Sequence, residues 1–410
     1  MSTDWRLGLA VFWLLALAVV LAGASAQPGV DPQTGMIRVL FMGDALMAPG
    51  FVTPIIAQDP LVRLTAVPVE FITLKYLSIE QAAASLRMYL PRTEQMLKSQ
   101  YDVIIIADAR MPFFPARLQN WIKSGVIDSG QGFLMAGGPQ SFGGSYDHPS
   151  WEASPVGDIL PCECPRDFWP LMGKPYHLVP VPGYEDHPLV RGIPWRQVWL
   201  FNQQRVQEKQ GSIVVGRSDK NPPGSPILIY MDVGKGRSEA FVFDWGGNGP
   251  QLFHRWTYAP VVLSNLIYYA ARVKIPEDTS LFLKLRTRLT SFFSTRSFAI
   301  SVIDFAEKFG ANTRKAEAAL AESEELRRKV ISLYVEAKYE ESLDVLEEAL
   351  SKAKEASDLA LRAKDEAMVW VYVIEWFTVS GTMMLAGSIL WALMVRRTAY
   401  KEVGVTRFLY

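Results

Sequence analysis

The stretch Gly132–Ser150 reads GFLMAGGPQSFGGSYDHPS, an apolar run that breaks into glycines, a serine, an aspartate and a histidine. Short apolar runs ending in Gly or Asp have the form of buried parallel strands. IRVLFMG (Ile37–Gly43) and YDVIIIAD (Tyr101–Asp108) share it. Between these runs lie two amphipathic stretches. SIEQAAASLRMYL opens on Ser78 with Gln81 three residues on, which predicts a capping box. ARLQNWIKSGVI places Leu118, Trp121, Ile122 and Val126 on one helical face. Strands alternating with helices predict a parallel sheet covered on both sides. GSIVVGRS, a hairpin turning at Gly234-Lys235-Gly236, and the helical APVVLSNLIYYA complete one α/β domain over residues 36–273.

In such sheets ligands settle beyond the carboxyl ends of the strands, which is where Gly137–Gly144 falls. A nucleophile elbow needs G-x-S-x-G. Ser141 has Gly143 two residues later, but Pro139 stands where the first glycine belongs. Ser141 is therefore either a nucleophile or a turn cap, with the glycines supplying positive φ. Gly137, Gly138, Ser141, Gly143, Asp147 and His148 form the expected ligand-binding set. His148 is the histidine best placed to work with Asp147 and Ser141, and Asp244, ending the strand in FVFDW, is a further polar candidate. His177, His187 and His254 lie at no ligand spacing to one another or to a cysteine.

Cys162 and Cys164 are one residue apart, so a bridge between them would be strained. They read as two partly buried thiols in a loop; no metal site and no cofactor are expected. The 42 basic residues balance 42 acidic ones, giving no electrostatic footprint for nucleic acid. With 49% hydrophobic and 12% aromatic residues the chain has ample material for a core.

Near the start, Leu7–Ala22 is unbroken apolar and Ala24-Ser25-Ala26 offers small residues for cleavage, which predicts a signal peptide over 1–26, or a retained signal anchor. Trp376–Val395 carries no charge, inside a predicted transmembrane helix over 369–395. Arg396, Arg397, Lys401 and Arg407 against Glu402 predict a cytoplasmic tail over 396–410, with the preceding domain outside the cell. Residues 280–367 lack strand signals, and no Gly or Pro occurs between Gly310 and Gly381. Leu326, Val330, Leu333 and Ala337 trace one apolar stripe, and Leu343, Leu346, Leu350 and Ala353 a second, predicting a coiled-coil-like helical hairpin used as a stalk. EAKYEESLDVLEEAL (Glu336–Leu350) resembles the turn and second helix of a tetratricopeptide hairpin, present in one copy.

The blocks YDVIIIADA, GFLMAGGPQSFGG, SPVGDILPCE, HPLVRGI, LFNQQRV and VGKGRSEAFVFDW, in that order, resemble the putative glutamine amidotransferase family, a branch of the class I glutamine amidotransferase-like fold. The resemblance implies a flavodoxin-like parallel sheet and a Cys-His-Glu triad whose thiolate attacks an amide carbon. This sequence departs from that triad. The turn after FLMAGG has no cysteine, and Asp244 is followed by Trp245-Gly246-Gly247-Asn248 rather than Pro-His-Trp. Two functions stay open: a non-catalytic, membrane-anchored domain that binds a ligand or a protein partner at the cell surface, and a surface hydrolase or amidotransferase with a non-standard nucleophile in the 137–148 loop.

Overall fold

The computed structural model describes residues 29–31, 33–48, 50–69, 78–138, 140–144, 149–165, 173–245 and 253–406. The signal-peptide expectation lies outside the described residues, as do Asp147 and His148. Ten strands are described: β1 (Ile37–Gly43), β2 (Val62–Pro68), β3 (Val103–Ala107), β4 (Gly132–Ala136), β5 (Cys162–Glu163), β6 (Leu178–Pro180), β7 (Gln207–Glu208), β8 (Ile213–Ser218), β9 (Pro226–Val233) and β10 (Gly236–Phe241). The helices are α1 (Thr53–Ala57), α2 (Ile79–Tyr89), α3 (Glu94–Gln100), α4 (Ala116–Ser129), α5 (Ala259–Ala270), α6 (Thr279–Lys308), α7 (Arg314–Val335) and α8 (Tyr339–Thr406).

Eight strands form one sheet in the order β2-β1-β3-β4-β10-β9-β8-β6. β3 and β4 are wholly buried, as continuous apolar runs covered on both faces must be. Ser78 and Gln81 form the expected capping box at the start of α2, and Leu118, Ile122 and Val126 of α4 are buried against the sheet. The sheet departs from the all-parallel expectation. β2, β1, β3, β4 and β10 run parallel, but β9, β8 and β6 run antiparallel. The cause is the predicted turn itself: Gly234, at φ 58°, and Lys235 join β9 to β10, and so short a connection joins only antiparallel neighbours. Cys162 also corrects its expected place, since it lies on β5, paired with β7, and both cysteines are fully buried.

The chain forms two compact units. One takes the described residues through Thr290 together with Val330–Leu343; the other comprises Ser291–Lys329 and the chain from Asp344. The first thus reaches beyond Val273, where the strand pattern ends, and a buried polar knot shows why. The Asp59 carboxylate accepts hydrogen bonds from the Leu61 amide (3.0 Å), the Tyr268 hydroxyl (2.8 Å) and the Ser264 hydroxyl. Arg286 lies 3.9 Å away and donates to the carbonyls of Gln58 (2.8 Å) and Ile55 (3.0 Å). Tyr334 of α7 meets the Tyr268 hydroxyl at 3.0 Å.

In the second unit, small residues let helices approach closely. Ala299, Ala319 and Ala356 pack together, and Val302, Ile303, Ala316 and Ala360 form a neighbouring cluster. The two-helix hairpin expected from Ser280 is therefore a three-helix assembly of α6, α7 and α8. Lys352 of α8 pairs with Glu322 of α7 at 2.9 Å. α8 is also the one described helix long and apolar enough to cross a membrane; its apolar window has a mean hydropathy of 1.6 and is nowhere buried.

Replacing Arg286 with Met should leave the Asp59 charge without its cation and cost about 3–5 kcal/mol. Urea unfolding should show a lowered midpoint, partly restored in Asp59→Asn/Arg286→Met. An unchanged midpoint in Arg286→Met would contradict this account of the knot.

Candidate functional site

At the carboxyl edge of the sheet, β1, β3, β4 and β10 release Asp44, Asp108, the glycine loop and Asp244. Asp108 is the centre of this edge. It takes a positive φ of 47°, a sparsely populated conformation for an L residue, and is 2% exposed. Its Oδ1 accepts from the Gly138 amide at 2.9 Å and its Oδ2 from the Trp245 amide at 3.1 Å. The carboxylate thus ties the loop after β4 to the segment after β10. Burial, first, and the nearby Asp244 and Asp44 push its carboxyl well above the usual range, against the opposing pull of the two amides.

The glycines are needed for close approach. A Cβ on Gly137, at φ 137°, would fall 2.2 Å from Ser141 Oγ and 2.6 Å from Asp108 Oδ1; one on Gly138 would fall 2.3 Å from the Asn202 carbonyl. Several loop amides donate inward: Gly137 to Phe241, Gly138 to Asp108, Ser141 to Gly138 and Gly144 to Ser141. Ser141 is completely buried, and its hydroxyl donates to the Ala136 carbonyl at 3.0 Å, closing the strand end as a turn cap does. Gly143 packs against the Gln204 side chain. Asp244 is buried and accepts from Asn202 Nδ2 at 2.9 Å, fixing Asn202, itself at φ 56°. The crevice bounded by Asp44, Phe51, Val52, Asp108 and Trp245 is too narrow for a water-sized guest.

The structure brings Gly137, Gly138, Ser141 and Gly143 together with Asp108 and, through Asn202, with Asp244. The three described histidines lie elsewhere. His177 pairs with Asp219 at 3.1 Å and stacks on Trp199. His187 meets the Tyr269 hydroxyl at 3.0 Å and accepts from the Leu189 amide, and burial and Arg237 lower its pKa to about 4. Burial and then Arg255 lower that of His254. The Cys164 thiol is not activated. Cys164 is held well above the ordinary thiol range by its hydrogen bond with Cys162, by burial and by Glu152. Among the described residues no group of three or more His, Cys, Asp or Glu side chains has the geometry of a metal site.

Sequence reasoning passed over Asp108 and Asp44. The available signal was the Asp that ends VIIIAD and FMGD, one residue past a buried strand.

Residues 72–271 match the putative glutamine amidotransferase family model. The matched stretch contains β3, β4, β10, the glycine loop and both cysteines. Two cytoplasmic proteins of Salmonella typhimurium, STM3548 and STM1381, are similar to it in structure. Each is 18% identical with a TM-score of 0.44, covering 57% of this chain and 99% of its own. The β-galactosidase of Rahnella sp. R3 is 13% identical with a TM-score of 0.35; the match covers 66% of this chain and 36% of the enzyme. No curated protein matches the chain.

A further buried carboxyl on β10 bears on the pH dependence of stability. Glu239, in mid β10, is fully buried and has no hydrogen-bond partner among the described residues, and burial pushes its carboxyl well above its ordinary 4.5. It binds a proton more tightly folded than unfolded. Its contribution is therefore complete below the ordinary value and is lost as pH rises through the raised one. Urea midpoints should fall as pH rises above the ordinary 4.5 of Glu239 toward its raised value, and Glu239→Gln should flatten that fall. An identical slope in the variant would show that Glu239 is not the titrating group.

Proposed function

We propose that this chain is a membrane-tethered class I glutamine amidotransferase-like module that binds a ligand or partner and does not release ammonia from glutamine. The observation that carries this is the state of its thiols: none stands on the turn after β4, and the pair it has is buried with Cys164 held protonated. Nucleophilic attack on an amide needs a thiolate within reach of a base. Ser141 offers no substitute there, because its hydroxyl is already donated to Ala136 beneath the loop.

The fold assignment rests on strand order. The parallel half runs β2-β1-β3-β4-β10, which is the flavodoxin-like order with β10 in the fifth place. Membrane tethering rests on α8. Its exposed Trp370, Trp376, Phe377, Leu385 and Trp391 present apolar surface that water would penalise. Its hydroxyls are satisfied within the helix: Thr378, Thr382, Ser388 and Thr398 each donate to the carbonyl four residues back, at 2.7–2.9 Å. Arg396, Arg397 and Lys401, near its C-terminal end, orient the C-terminus to the cytoplasm, leaving the α/β unit on the outer side, where its recognition surface is the rim of the glycine loop.

The full-length chain in detergent should release no ammonia from glutamine above the blank. Turnover that disappears in Cys162→Ala or Ser141→Ala would overturn the binding role. On intact cells, added protease should remove the α/β unit and spare a tag placed after Tyr410; loss of the tag would reverse the orientation.

A further inference from the structure

At the edge of the sheet opposite the glycine loop, where β10 begins, a pocket of about 460 Å³ opens beside the end of α5. Arg191, Arg237, Arg272 and Lys274 line it, together with Tyr269. Two carboxylates oppose them. Asp232 takes Arg237 at 2.8 Å and Arg272 at 3.2 Å, and Glu277 takes Lys274 at 2.9 Å. Four cations against two anions leave an excess of two positive charges. The other titratable groups nearby do not cancel it. Burial pushes the Tyr269 hydroxyl up and lowers the His187 pKa to about 4, so both are neutral near pH 7, and burial pushes the Glu239 carboxyl toward its neutral form.

The donors divide into used and available. Arg237 is fully engaged, with Nε and Nη2 on Asp232 and Nη1 on the Tyr269 carbonyl. Arg272 uses only Nη2, on Asp232 and on the Gly236 carbonyl, leaving Nε and Nη1 unengaged among the described residues. Arg191 uses Nη2 on the Pro276 carbonyl, and its buried Nε has no partner among the described residues. Arg272 also stands just past the end of α5 at φ 57°, the left-handed position that glycine usually fills. Pro188, Val273 and Ile275 supply apolar wall beside these donors.

We propose that this pocket binds the phosphate group of a small anionic ligand, with Arg191 and Arg272 donating to its oxygens and Lys274 adding a point charge. The guanidinium N–H groups of Arg191 and Arg272 that no protein acceptor takes, with a surplus of basic over acidic side chains, match a phosphate. The volume suits a small molecule rather than a bare ion. The site is independent of the glycine loop, so either can fail alone.

The test is titration of the full-length chain in detergent with inorganic phosphate, followed by thermal unfolding, with chloride matched in ionic strength as control. Wild type should show a saturable rise in Tm. Arg272→Gly, which suits its left-handed backbone, and Arg191→Gln should each raise the half-saturating concentration by at least about tenfold. The source of the phosphate separates in a second arm. Wild-type chain released from bilayers containing phosphatidylglycerol retains that lipid by native mass spectrometry, and Arg272→Gly loses it, if the source is a headgroup. Displacement of phosphate by glycerol 3-phosphate with no retained lipid marks a soluble ligand. A phosphate effect equal to that of chloride, or unchanged in both variants, overturns the proposal.

Discussion

The Asp59 carboxylate is the constraint on which the first compact unit depends. It is 2% exposed, and a buried charge is tolerated only when paired and hydrogen-bonded. Its partners come from the Leu61 backbone, from Ser264 and Tyr268 on α5, and from Arg286 on α6, with Tyr334 of α7 closing the far side. Burial pushes the Tyr268 and Tyr334 hydroxyls well above their ordinary range, so both remain proton donors. The unit is therefore incomplete at Val273. The start of α6 and the turn between α7 and α8 must arrive before Asp59 is satisfied, which is why Val330–Leu343 belongs to it.

Against this frame the sequence was legible where a local rule decides the outcome. Strands β1, β3 and β4 followed from apolar runs ended by Gly or Asp, the capping box of α2 from Ser78 and Gln81, and α4 from the apolar face of Leu118, Trp121, Ile122 and Val126. The hairpin at Gly234-Lys235 was also legible, yet its consequence for the sheet was not drawn. A turn that short reverses the chain, so the half of the sheet beyond β10 could not stay parallel. The Asp59 knot was not legible at all, because Asp59 and Tyr334 are joined by no periodicity or motif, only by the folded geometry.

The glycine loop shows the same division. That GGPQSFGG would sit at a strand end follows from its apolar lead; what it does there depends on Asp108, whose role needs the Gly138 and Trp245 amides in space. Close approach explains Gly137 and Gly138 better than ligand cradling, since a Cβ at either would strike Ser141 or Asn202. Likewise the Cys-x-Cys pair, read as partly buried in a loop, is fully buried, with Cys162 on a strand. Cys162 is drawn into the core by the β5–β7 pairing, and Cys164 by its place beside Gly143.

The proposed binding role rests on two buried thiols, and their reaction with Ellman's reagent tests it directly. Thiolate, not thiol, is the reactive species, so a buried protonated cysteine should be silent. In the native chain near pH 8 neither Cys162 nor Cys164 should react, and both should react once the chain is unfolded in guanidinium. A native thiol that reacts rapidly, with a kinetic pKa below that of a free cysteine, would contradict the account.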